Sequence, residues 1–239
     1  MKRDSTSARA AALAVAALAA CAETAVAVGV LEGPAATQRS TIADVADLTV
    51  HTDFEEVRVF AADRQDVEVE LSVSARMSRR NRPELAVERD GAAVTVRIGG
   101  NDLPISRASV EWGPKLTLSV PAGVELTVRT GSGAVVVQGL RSDRLEVFTD
   151  EGDVFVGDCV GPLQVAGGSG SVRVARSHGD KRLASTSGAI DVVDSRGAVI
   201  ARTDSGAQRF LRIDGDLTVL RGTPVEVSEH RGRLIVEDP

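Results

Sequence analysis

Carboxylates are the side chains best stocked to do chemistry in this sequence. Asp150, Glu151, Asp153 and Asp158 crowd one turn and offer oxygen ligands of the kind a hard divalent cation takes. Their spacing is not that of a complete calcium loop and does not recur further along the chain, so the spacing favours a solvated turn. Asp191 and Asp194 could supply the two carboxyls of glycoside cleavage, but any strand with two acids meets so loose a requirement. With 3% aromatic residues, five Phe, one Trp and no Tyr, the chain has few platforms on which a sugar substrate would stack. His51, His178 and His230 are scattered, with no H-x3-H pair for a metal. Nucleophile elbows, phosphate loops and H-E-x-x-H helices are absent. Cys159 sits in the turn Gly157-Asp158-Cys159-Val160-Gly161 with no histidine beside it, which reads as a small, half-buried apolar side chain. Thr130, Thr149 and Thr203 stand just before turn glycines, where hydroxyls satisfy turn backbone groups. The expectation is no catalytic residue, no metal and no cofactor.

Cys21 is the exception. Lys2, Arg3 and Arg9 precede an apolar run from Ala10 to Ala20, the layout of an export signal over residues 1–20. The run is shorter than the roughly 20 residues a membrane span needs, and Glu23 blocks its extension. It ends in Leu18-Ala19-Ala20-Cys21, which resembles the bacterial lipobox. That resemblance implies acylation of the Cys21 thiol and cleavage just before it. Ala25-Val26-Ala27 offers the alternative of ordinary secretion or periplasmic release by cleavage after Ala27, and an uncleaved anchor is a third option. In each case the folded part leaves the cytoplasm. If Cys21 is acylated only Cys159 remains, so no internal disulfide can form. The formal charge of −6 argues against nucleic acid as a partner, and losing Lys2, Arg3, Arg9 and Asp4 with the signal leaves −8.

The elements that must position these groups are strands. Residues 21–47 show no period and carry Gly33-Pro34, and read as a flexible tether. An N-terminal β section follows over 48–120, where Val67-Val69-Leu71-Val73 and Val94-Val96-Ile98 alternate as half-buried strands do. Asp90-Gly91 marks a tight hairpin within it. The arginines of Ser74 to Arg82 read as a solvated loop. From 121 to 239 the chain repeats itself. Gly133, Gly152, Gly170, Gly188 and Gly206 follow one another at 19, 18, 18 and 18 residues, and Gly161, Gly179, Gly197 and Gly215 form a second row stepping by 18. Two glycine rows at one period mean two corners per repeat. Between the corners, Leu126 and Val128, Leu145 and Val147, and Leu163 and Val165 fall in register. The predicted architecture is all-β, a β-solenoid of about six 18-residue coils with two short strands in each. Lys181 and Gln208 break the inward pattern and are expected to weaken the middle of the array.

The run LTLSVPAGVELTVRTGSGAVVVQG from Leu116 to Gly139, followed by repeated Ser-Gly corners before alternating valines, resembles the bacterial DUF4097 group of adhesin-like β-solenoid proteins. The resemblance covers roughly Asp47 to the C-terminus and carries no catalytic residue with it. Departures are Glu151 in place of Ser at one corner and Pro224 in place of Gly at the last. The resemblance implies an adhesin-like role; with the lipobox, the rigid repeat and the net negative charge, the expectation is a non-enzymatic envelope protein, membrane-held through its lipid, presenting a rigid acidic surface to an envelope or extracellular component. A self-assembling envelope scaffold is the alternative, and a polysaccharide-active β-helix enzyme the third. The closing charges Glu237 and Asp238 with Pro239 would blunt an open edge, favouring a monomer or small oligomer.

Overall fold

A computed structural model describes residues 28–31, 36–53, 55–73, 83–99, 114–222 and 224–237. Among them every regular element is a strand, and no helix is long and apolar enough to cross a membrane. In chain order the strands are β1 (Val28–Leu31), β2 (Ala36–Ala43), β3 (Asp47–Thr52), β4 (Glu56–Ala62), β5 (Asp66–Val73), β6 (Glu84–Asp90), β7 (Ala93–Gly99) and β8 (Lys115–Pro121). The repetitive half continues with β9 (Glu125–Thr130), β10 (Val135–Gln138), β11 (Leu145–Thr149), β12 (Val154–Gly157), β13 (Leu163–Gly167), β14 (Val172–Ala175) and β15 (Lys181–Ser185). It ends with β16 (Ile190–Arg196), β17 (Val199–Thr203), β18 (Gln208–Asp214), β19 (Leu217–Leu220), β20 (Val225–Ser228) and β21 (Leu234–Glu237).

Odd and even strands of the repetitive half separate into two facing sheets. In one, β9, β11, β13, β15, β17, β19 and β21 lie side by side and parallel; in the other, β10 through β20 do the same. The pairing register is the sequence period: Leu145 faces Leu163, Leu163 faces Lys181, and Lys181 faces Val199. A period-two strand puts alternate side chains on one face, so each Leu-x-Val or Val-x-Val pair points between the sheets. There Val128, Val137, Val147, Val156 and Val192 are fully buried. Each rung inherits its register from the one before, which is why a fixed repeat length and a continuous dry interior go together.

The N-terminal β section is part of the same stack. β3 pairs in parallel with β9 and β4 with β10, while β7 and β8 add a further rung outside them. One hydrophobic core runs from Ile42 to Val219, so position 120/121 is a break in neither sheet. The chain enters the stack one rung in, steps outward, then returns to β9. Antiparallel strands close this end: β6 pairs with β7 through the hairpin at Asp90-Gly91, and β5 pairs with β8 and then with β2.

Two expectations need correction. The tether read over 21–47 is strand from Ala36 to Ala43, paired residue for residue with β5. Among the described side chains of β2 only Ser40 and Ile42 are buried, so this covering strand lacks the apolar alternation that would betray it. Lys181 and Gln208 do not interrupt the array either. Both stay inward-facing and in register, because each long side chain carries its polar end to a neighbouring corner. The Lys181 ammonium donates to the carbonyls of Gly179 at 2.5 Å and Arg196 at 2.8 Å. The Gln208 amide donates to the carbonyl of Arg221.

Candidate functional site

The corners hold the residues singled out by spacing. Gly133, Gly152, Gly170, Gly188 and Gly206 form one column, each lying so close to the carbonyl of the rung before it that a methyl group would overlap that oxygen. The hydroxyls of Thr130, Thr149 and Thr203 accept from the amides of Gly133, Gly152 and Gly206 at 3.2, 2.9 and 2.9 Å. Ser185 does the same for Gly188. These groups are buried and spent on the backbone, which leaves no hydroxyl row for a ligand.

The carboxylates are dispersed among arginines. Asp153 accepts from the amide and hydroxyl of Ser171, and Asp158 takes a two-point bond from Arg176, both contacts at 2.7 Å. Asp191 lies between Arg173 and Arg209, and Asp194 is held by Arg212. Along the outside of the sheet ending in β20, acids and arginines thus alternate rung by rung as Arg173, Asp191, Arg209 and as Asp158, Arg176, Asp194, Arg212. The bonded guanidinium of Arg176 holds the Asp158 carboxyl below the usual carboxylate range, and Arg212 does the same for Asp194. A carboxyl kept ionised this way is not a general acid at neutral pH. Among the described residues no three metal-ligating side chains converge. His178 and His230 lie at the same corner, where a depression of about 760 Å³ is lined by the paired charges of Arg176, Asp194 and Arg212. Cys159 is buried, its thiol donating to the carbonyl of Gly157 at 3.2 Å, and burial pushes its pKa up, so the nucleophilic thiolate is disfavoured. Cys21, with Leu18, Ala19 and Ala20, lies outside the described residues.

One surface departs from this charge alternation. Arg97 of β7, His51 of β3 and Arg129 of β9 stand in register on three adjacent rungs, about 4.8 Å apart by strand spacing. The two arginines are therefore two rungs apart, with the imidazole between them. Burial lowers the pKa of His51, and the flanking Arg97 and Arg129 lower it further. On the next rung Phe148 continues the column, with the guanidinium of Arg129 4.3 Å above its ring in a cation–π contact. Beside it the small residues Ala166, Gly167 and Gly168 leave a groove of about 710 Å³. Its corner end is walled by Asp53 and Asp150. Among the described residues Glu88 forms an ion pair with Arg97 at 3.7 Å, with both side chains more than half exposed. The sequence reading missed this column. The signal for it is partly present, since Arg129, Phe148 and Ala166 share the repeat register, but Arg97 and His51 reach it only through long-range pairing.

Fold and surface together define a class: a parallel β-solenoid with one antiparallel cap, an arginine–acid ladder on the outside of one sheet and an arginine-flanked groove on the other. Residues 45–210 match the family described as Toastrack DUF4097, and the chain belongs to that family. No curated protein matches the chain. Among solved structures, a putative adhesin from Bacteroides fragilis NCTC 9343 is 14% identical at a TM-score of 0.53, with 86% of this chain and 97% of that one covered. A putative lipid binding protein from Parabacteroides distasonis ATCC 8503 is 12% identical at a TM-score of 0.45, covering 84% and 96%. The Bacteroides structure shares the fold with this chain.

Proposed function

We propose that this chain is an exported, lipid-anchored envelope protein whose solenoid works as an adhesin-like binding module and not as an enzyme. The observation that carries this reading is the Arg97, His51, Arg129 column: two arginines flank an imidazole on adjacent rungs, on a face without the arginine–acid ladder of the opposite sheet. Rigid stacking fixes these groups at set distances, which suits recognition, and the carboxylates that could serve hydrolysis are engaged by arginines. The acidic face expected for partner contact is largely consumed by those internal pairs, so the contact face is assigned to the cationic groove. The adhesin name carried by the Bacteroides structure supports the reading by analogy of fold alone. Retention of full-length protein, reconstituted in vesicles, on intact cell envelopes tests it. Retention is expected to fall with rising salt, and vesicle-borne protein that binds no more than empty vesicles would overturn it.

Anchoring rests on Leu18-Ala19-Ala20-Cys21. Palmitate label is expected in the wild-type chain and absent from Cys21→Ser, which should also leave the membrane fraction. Label persisting in Cys21→Ser would remove the lipidation site.

One observation bears on self-association, the exposed rung of β20 and β21. Leu234 and Val236 occupy the inward register of Leu217 and Val219, yet are 46% and 48% exposed. The opposite end is covered by antiparallel strands, so head-to-tail stacking lacks a second bare face, and two copies could meet only rung to rung as a closed dimer. Wild-type protein is expected to show concentration-dependent dimerisation that Leu234→Lys with Val236→Lys removes, as read by light scattering. Filaments in negative stain would instead establish the scaffold.

A further inference from the structure

We infer that the groove over β7, β3, β9 and β11 takes a segment of acidic polysaccharide, an assignment that rests on the binding-module reading above and names its ligand class. The two arginines of the column stand two rungs apart, about 9.6 Å along the solenoid axis, with the His51 imidazole between them, and match a linear polyanion laid across the strands with alternate charges toward the protein. Arg97 and Arg129 present forked donors suited to carboxylates. The loose 3.7 Å contact between Arg97 and Glu88, both well exposed, is one that a ligand carboxylate can displace. Phe148, already covered by Arg129, and the small residues Ala166 and Gly167 beside it leave width for a ring.

Asp53 and Asp150 at the corner end decide between anions. Their carboxylates repel a polymer that is phosphate throughout, but accept hydrogen bonds from hydroxyls, which a uronic acid chain carries beside its carboxylates. A chain of net charge −6 and a groove with one aromatic ring give little to nucleic acid, which needs broad phosphate neutralisation and repeated stacking.

The test uses full-length protein in detergent, with polygalacturonate as the probe and inorganic polyphosphate and dextran as comparators. Binding to polygalacturonate is expected, weakening with salt, with dextran and polyphosphate bound at least about tenfold more weakly. Arg97→Ala with Arg129→Ala is expected to cost at least about tenfold in affinity. Arg173→Ala with Arg209→Ala, which removes the same charge from the alternating ladder, is expected to change it less than about twofold. Equal losses in the two double variants would overturn the groove. Polyphosphate bound as tightly as polygalacturonate would overturn the saccharide and leave a bare anion site. Failure to bind polygalacturonate by protein that still holds intact envelopes overturns the ligand class alone. Failure of both removes the binding-module reading with it.

Discussion

Gly188→Ala is expected to destabilise the fold by about 3 kcal/mol, lowering the melting temperature by about 6–12 °C. A Cβ built there would lie 1.9 Å from the carbonyl oxygen of Gly170 and 2.6 Å from its carbon, with the Ser185 hydroxyl at 2.9 Å. The obstacle is backbone, not the end of a flexible side chain. Gly170 cannot retreat, because it stands against Gly152 in the same way, and Gly206 presses on Gly188 from the other side. One added methyl group therefore asks the whole column to open. Gly91→Ala is the matched control. Its glycine has φ of +59° in the β6–β7 hairpin but nothing within 4 Å of an added Cβ, so only the left-handed backbone penalty of about 1 kcal/mol applies. Thermal and chemical denaturation of the pair check both values. Equal, small losses would mean that the corners do not touch in solution.

Lys181→Leu is expected to raise stability near neutral pH by about 1 to 3 kcal/mol and to remove a pH dependence. Lys181 is among the largest fully buried side chains, and burial pushes its pKa down to about 8. The unfolded chain keeps that proton until its ordinary value near 10.5, while the folded protein releases it near 8. Between those limits the unfolded state binds more protons, so stability rises with pH; below the lower limit the full penalty for a buried ammonium is present. The leucine variant restores the Leu163-to-Val199 inward column and lacks the titration. Its advantage is thus largest at pH 7 and shrinks toward pH 10.5. Apart from Cys159 few side chains titrate in this window, since the chain has no tyrosine and three lysines. Cys159 titrates in the opposite sense: burial raises its thiol, so its contribution is lost as pH climbs, and both proteins are compared with Cys159→Ala. A leucine variant that is less stable, or has an unchanged slope, would show that the two carbonyl bonds of Lys181 outweigh its desolvation.

The repetitive half was legible because its rungs obey one rule. An inward pair of apolar residues, a corner glycine and a hydroxyl three residues earlier recur at a spacing that matches strand pairing, so sequence distance and spatial neighbour coincide. Lys181 and Gln208 looked like faults because hydropathy registers the charged tip and ignores a stem long enough to reach Gly179 or Arg221. The N-terminal section was legible as strands but not as part of the stack. Nothing in the local pattern of Leu48-x-Val50 says that its partner is Leu126 on one side and Val94 on the other. β2 was hidden for another reason: this covering strand buries Ser40 and Ile42 but no run of alternating apolar residues, and alternation is the signal a single strand sends. The candidate site was illegible for the same cause as the N-terminal section, since its cations converge through the β3 pairings.

That detour in chain order also sets a sequence of events. Rungs from β9 onward close between residues 17 to 19 positions apart, so each can assemble on its predecessor for a small loss of chain entropy. Leu48 must instead find Leu126, 78 positions away, after the intervening chain has formed β7 and β8. Slow, nonlocal closure of this kind makes the amino-terminal rungs the last to form and the first to open. Amide protons of β3 and β4 should exchange with solvent before those of β13 and β14, and the cationic groove, built on β3 and β7, would come and go with them.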